Sequence, residues 1–179
     1  MTRTAKLQEH QKRRDLIDIR RSAIDSRGIQ GFVLAASDEL VVLQYVYDFH
    51  LDGLMVLRVA DITEVRFRAT DKLQKKLLAH EGLLERVPFN SAFDLRNWRS
   101  VISQLSKEFG LMILECELAE EPEFYIGRIL KTTETGARLL FFSGAAKWDK
   151  KPSTVRFKDI TSCQVGSNYI NVYQRHFAR

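Results

Sequence analysis

Apolar positions along this chain come in short runs whose period changes, and the changes mark its elements. Leu40-Val-Val-Leu-Gln-Tyr-Val-Tyr, continuing to Phe49, and Leu54-Met-Val-Leu-Arg-Val are strand-length runs rich in β-branched residues, which predicts strands rather than helices. Segments 15–24, 30–36 and 63–67 complete a first set of five strands. The turn Ser37-Asp38-Glu39 is short and polar. Asp52-Gly53 is a hairpin signal, because glycine accepts the positive φ of a tight turn. Short strands joined by hairpin turns predict antiparallel pairing. The period then becomes helical. Residues 71–82 predict a helix with Leu73, Leu77 and Leu78 inward and Lys72, Lys75 and Lys76 outward. Leu95, Trp98, Ile102, Leu105 and Phe109, spaced 3, 4, 3, 4, form one face of a second helix that Ser91 or Asp94 caps and Gly110 stops. Strand patterns resume at 111–116, 125–132, 137–142, 154–157, 161–165 and 169–174.

The two sets of strands share landmarks. Gly31-Phe-Val-Leu is echoed by Gly127-Arg-Ile-Leu at an offset of 96 residues, and Asp61-Ile-Thr63 by Asp159-Ile-Thr161 at an offset of 98. Five short strands in about 55 residues bury little as a flat sheet, and the usual remedy is to curl into a small barrel. The expected fold class is therefore mainly β with helices (α+β): two tandem five-stranded SH3-like or Sm-like small barrels joined by a two-helix connector. The expected divisions are a basic N-terminal arm over 1–14, a first barrel over 15–69, the connector over 70–110 and a second barrel over 111–177. Gly31, Asp61, Thr63, Gly127, Asp159 and Thr161 are expected to form structural corners, since an Asp with a Thr two residues on can hold a tight turn through backbone N–H groups.

Charge refines this picture. The net charge is +5, and Arg3, Lys6, Lys12, Arg13 and Arg14 against Glu9 alone supply most of it, so the basicity belongs to the arm. The body is nearly neutral and offers no broad electropositive face. Hydrophobic residues make up 45% and charged residues 28%, an ordinary globular balance. No run is long and apolar enough to span a bilayer, and no signal-peptide core opens the chain. A cytoplasmic protein without a membrane partner is expected. Cys116 and Cys163 lie in apolar or alternating runs, away from other metal-ligating residues, and read as reduced core residues.

No reactive constellation emerges. His10, His50, His80 and His176 are mutually isolated, and no Gly-rich loop, nucleophile elbow or paired acid is present, so no catalytic residue, metal or cofactor is expected. Lys12, Arg13 and Arg14, with Lys72, Lys75 and Lys76, are the candidate phosphate contacts. Tyr45, Tyr47 and Phe49 alternate on one face and read as barrel core.

The combination of Phe49-x-Leu-Asp-Gly-x-Met-Val-Leu-Arg, Asp61-Ile-Thr, a helical stretch, Ile126-Gly-Arg-Ile, Trp148-Asp149 and Phe157-x-Asp-Ile-Thr resembles a group of uncharacterised bacterial proteins with two tandem SH3-like or Sm-like small β-barrel modules joined by helices. The resemblance covers roughly residues 15–175 and implies no known activity. Similarity to Sm-like barrels at the level of fold implies oligomeric RNA binders. The Met-Asn and Arg-Gly steps that carry nucleotide contacts in that family are absent from residues 37–41 and 57–60 here. The resulting expectation is a non-enzymatic interaction module with a protein partner. RNA or single-stranded nucleic-acid binding through the basic arm and helix lysines is the alternative, and either leaves room for a homo-oligomer.

Overall fold

The structure, a computed structural model, describes residues 2–179. A helix α1 (Arg3–Arg13) opens the chain, followed by strands β1 (Leu16–Arg21), β2 (Asp25–Ala36), β3 (Leu40–Tyr47), β4 (His50–Arg58) and β5 (Glu64–Arg66), then helix α2 (Ala69–His80). After a connector, α3 (Trp98–Phe109) leads into β6 (Leu111–Cys116), β7 (Glu123–Thr132), β8 (Gly136–Phe141), β9 (Ser153–Arg156) and β10 (Ser162–Val165), and α4 (Asn168–Phe177) closes the chain. Among the described residues no helix is long and apolar enough to cross a membrane.

All ten strands join one antiparallel sheet in the order β5-β1-β2-β3-β4-β10-β6-β7-β8-β9. Two separately closed barrels do not form, because β4 of the first half pairs with β10 of the second, Leu57 opposite Ser162 through Leu54 opposite Val165. Each half nevertheless follows the same element order, a helix, four strands, a short 3-10 turn, a fifth strand and a helix. The bulge between Val33 and Ala35 in β2 recurs between Ile129 and Lys131 in β7. Beside each bulge lies a glycine with the same constraint. A Cβ on Gly31 would sit 2.6 Å from Gln44 O, and one on Gly127 would sit 2.0 Å from Leu140 O.

Several expected elements are corrected. Residues 3–13 form a helix that Thr2 caps, its hydroxyl accepting from Ala5 N at 3.2 Å; Leu7 is fully buried and anchors it. Residues 169–174 lie in α4 rather than in a strand, with Ser167 as the cap. Asn97, not Ser91 or Asp94, caps α3. The hairpin between β3 and β4 turns at Asp48 and Phe49, both at positive φ, as a tight hairpin turn demands. Asp52-Gly53 instead lies within β4, where a Cβ on Gly53 would meet Val165 O at 2.2 Å and Asp52 Oδ1 accepts from Asn168 N at 2.6 Å. Of the α2 leucines only Leu78 is buried; Leu73 and Leu77 are exposed, as are Tyr47 and Phe49 on the β3–β4 hairpin.

The core explains the unbroken apolar runs. Met55 and Leu57 enter a cluster with Leu7, Ile17, Ile19, Val33, Val41 and Leu43 beneath α1. Leu54 and Val56 point the other way, into a larger cluster with Phe32, Val42, the connector residues Val87 and Leu95, the α3 residues Trp98, Val101, Ile102 and Leu105, and Cys163. A strand covered on both faces needs no polar alternation, and each such aliphatic side chain contributes about 1.5–3 kcal/mol of burial free energy. A third cluster gathers Leu111, Ile113, Ile126 and Phe142 under Ile170 of α4.

The glycine clash orders two substitutions. Gly127→Ala is expected to destabilise the protein by about 1–3 kcal/mol or more through overpacking, and Gly31→Ala by less. Thermal unfolding of both variants checks the order, and a Gly127→Ala protein as stable as wild type would refute the close approach.

Candidate interaction surface

An antiparallel sheet with two ends has two edges, and each edge presents unpaired N–H and C=O groups. Here the edges are β5 and β9, and they are treated differently. β9 alternates so that Val155 and Phe157 turn their backbone groups toward β8, Phe157 N donating to Thr135 O at 2.9 Å; the groups of Thr154 and Arg156 therefore point outward. Among the described residues no side chain hydrogen-bonds to the backbone of Ser153–Arg156. Lys150 and Lys151 precede the strand and Arg156 and Lys158 flank its end, giving this edge a positive margin.

β5 is capped. Lys6 Nζ donates to Val65 O at 2.6 Å, and Arg3 Nη1 lies 3.4 Å from both Val59 O and Ala60 O. Glu64 and Arg66 pair with each other at 2.5 Å. A short edge dressed with charges and covered by lysine resists strand addition.

Of the expected corner residues, Asp61, Thr63, Asp159 and Thr161 stand at or beside the 3-10 turns, whereas Gly31 and Gly127 lie within β2 and β7. Arg58 Nε donates to Asp61 Oδ2 at 2.8 Å, and Arg156 Nε to Asp159 Oδ2 at 2.5 Å. Thr63 accepts from Ser22 N at 3.1 Å and donates to Arg20 O at 3.0 Å; Thr161 accepts from Glu117 N at 3.2 Å and donates to Glu115 O at 3.0 Å. These contacts tie the end of each half's first strand to the start of its fifth.

The six basic candidates lie at the end of α1 and along α2, two elements that touch at Lys75. Lys75 Nζ donates to Arg13 O at 3.2 Å and lies 3.6 Å from Asp15, which also pairs with buried His10 at 3.0 Å. Arg13 pairs with Glu9 at 2.5 Å, Arg14 stacks over Phe89 at 4.7 Å, and Lys72 stands 5.2 Å from the Phe67 ring centre. Lys12 and Lys76 are exposed.

A cavity of about 470 Å³ lies at the seam between halves, bounded by Arg21, Gln30, Tyr45, Glu115, Glu117 and Gln164. Arg21, buried, donates both terminal nitrogens to Glu117 at 2.6 and 3.0 Å. Burial pushes the Glu115 carboxyl above its ordinary range, against the hydroxyl of Ser162, which donates to it. Burial likewise pushes the thiols up, Cys116 to about 11 and Cys163 to about 12, so neither is a ready nucleophile. Among the described residues no cluster of His, Cys, Asp or Glu could hold a metal ion.

Sequence reasoning missed Arg3, Lys6, Arg21 and Thr154. Only Thr2 ahead of a lone apolar Leu7 and a spaced His10 marked α1 as a docked helix, and the partners of the others lie far away in sequence.

Comparison with family models, curated proteins and solved structures returns no match to this chain. The carboxyl at the seam supplies a test of the geometry. Because Glu115 is held protonated more strongly when folded, its ionisation costs stability as pH rises above the ordinary carboxylate range. The difference in Tm between Glu115→Gln and wild type should accordingly be more favourable to the variant at pH 7 than at pH 4; equal differences at both would refute the burial.

Proposed function

We propose that this chain is a non-enzymatic protein-interaction module built on two copies of a five-stranded unit of SH3-like or Sm-like kind, opened and joined into one sheet, and that β9 is the edge on which a partner's extended segment is added as a further strand. The observation carrying this reading is the contrast between the edges: Lys6 covers the backbone of β5 and Arg3 the turn before it, whereas the outward groups of Thr154 and Arg156 carry no side chain among the described residues. Strand addition draws its affinity from main-chain hydrogen bonds and its specificity from alternate side chains. The shared element order of the halves, their bulges and their glycines support the duplication.

Proline at an edge position whose N–H faces outward removes a docking donor without breaking the ladder behind it. Thr154→Pro should fold as wild type by circular dichroism yet lose protein partners that wild type retains from native cell extract after ribonuclease treatment. Equal recovery by both proteins would count decisively against β9.

A second reading, RNA or single-stranded nucleic-acid binding through Lys12, Arg13, Arg14, Lys72, Lys75 and Lys76, is favoured by one observation, the contact of Lys75 on α2 with Arg13 at the end of α1. Glu9 and Asp15 already neutralise part of that charge. Among the described residues Lys12, Arg14, Lys72 and Lys76 have no ion-pair partner, and about four phosphate contacts give a log-log salt slope near −3 for a single strand. Replacing those three lysines by glutamate should abolish binding of a single-stranded RNA measured by fluorescence anisotropy at low salt; unchanged affinity would eliminate this reading. Deleting the whole arm would be uninformative, because Leu7 belongs to the core.

A further inference from the structure

The two halves differ in what covers their fifth strands. In the second half, Cys163 of β10 lies opposite Val56 of β4, and Lys158 O accepts from Arg58 Nη1 at 3.2 Å. An offset of 98 residues, the one that relates Asp61 to Asp159, makes Val65 the counterpart of Cys163 and Ala60 the counterpart of Lys158. Those are the two places that α1 occupies: Lys6 on Val65 O and Arg3 on Ala60 O. Two cations of α1 thus stand where a strand and an arginine stand in the other half.

By the same offset, the counterpart of β4 is β9, with Thr154 for Val56 and Arg156 for Arg58. The chain therefore carries both sides of a junction it has already formed once internally. We propose that β5 is a docking edge for β9 of a second copy of this chain, and that Arg3 and Lys6 hold it shut. With the cap displaced, Val65 of one copy faces Thr154 of the next, and Arg156 takes the carbonyl of Ala60 that Arg3 releases. This contact is head-to-tail, so it propagates from copy to copy until a ring closes or a filament grows. The inference rests on the reading of β9 as a strand-accepting edge and adds the partner.

The cap is also removable without disturbing the core. Arg3 and Lys6 reach outward from a helix whose buried anchors are Leu7 and His10, so replacing both cations by alanine should leave the fold intact.

Sedimentation velocity on the full chain, mass 20.7 kDa, decides the matter. Wild type is expected to remain single, and Arg3→Ala/Lys6→Ala to assemble with rising concentration to at least twice that mass. Adding Thr154→Pro to the double variant should return it to a single copy. A natively folded double variant that stays single at high concentration overturns the inference. So does assembly that survives Thr154→Pro, or wild type that assembles as readily as the variant. Loss of cellular partners by Thr154→Pro alongside a single double variant would leave the β9 reading standing and this one refuted.

Discussion

Backbone donors and acceptors at a strand edge must find partners or water, and the pairing of β4 with β10 is the solution on which the rest of this molecule depends. Without it the chain would carry four edges, two of them lined by Leu54, Val56, Cys163 and Val165, all now buried. With it, the remaining edges shrink to the three residues of β5 and the four of β9. The close approach also accounts for Gly53: the strands run so near at that point that β4 cannot carry a side chain there. Asp52 beside it caps the first backbone N–H of α4, so the junction positions the last helix as well.

Joining the sheets redistributes the core. Once β4 continues into β10, the face of the first half that turns away from α1 is covered by the connector and α3, and its residues share a cluster with the interior of the second half. The halves therefore cannot be regarded as independent bodies on a tether. Arg21 reinforces the same seam, crossing from the end of β1 to Glu117 just beyond β6. Arg21 is buried and Glu117 partly exposed, so removing Glu117 strands a buried charge at a cost of up to about 3–5 kcal/mol. That cost fixes how the halves meet without adding much net stability.

Strand positions, the antiparallel sense and the face of α3 were legible because each rests on local periodicity. The recurrence of Gly31 at Gly127 and of Asp61-Ile-Thr at Asp159-Ile-Thr was equally legible, and both pairs lie at matching places in the two halves. The joining of the two halves into one open sheet was not, since the choice between pairing β4 with its own half and pairing it with β10 is made by contacts about 100 residues apart. Leu40-Val-Val-Leu held the clue: four consecutive buried residues require cover on both faces, which an isolated barrel does not provide. Asp52-Gly53 shows the same limitation in miniature. The sequence announces a glycine that needs positive φ, and only the fold reveals that a neighbouring strand, not a hairpin, imposes the need. Arg3 and Lys6 were visible as charge, but their role depends on a helix docking across β5.

The differences between paired positions carry the functional argument. Where β4 has Met55, Val56 and Leu57, β9 has Ser153, Thr154 and Val155. The inward position stays aliphatic, Leu57 giving way to Val155 buried against the core, while the others become polar. A strand enclosed permanently by the same chain can be apolar on both faces; one that must survive in water before meeting a partner cannot. β9 retains the geometry of an interior strand with the surface of an edge, which is the composition that reversible docking requires. β5, by contrast, places Glu64 and Arg66 where β10 has Ser162 and Gln164, and the pair satisfies itself. The polarity of the sheet, one edge dressed and one bare, is therefore written in the side chains as well as in the cap, and it is what gives the proposed head-to-tail contact a direction.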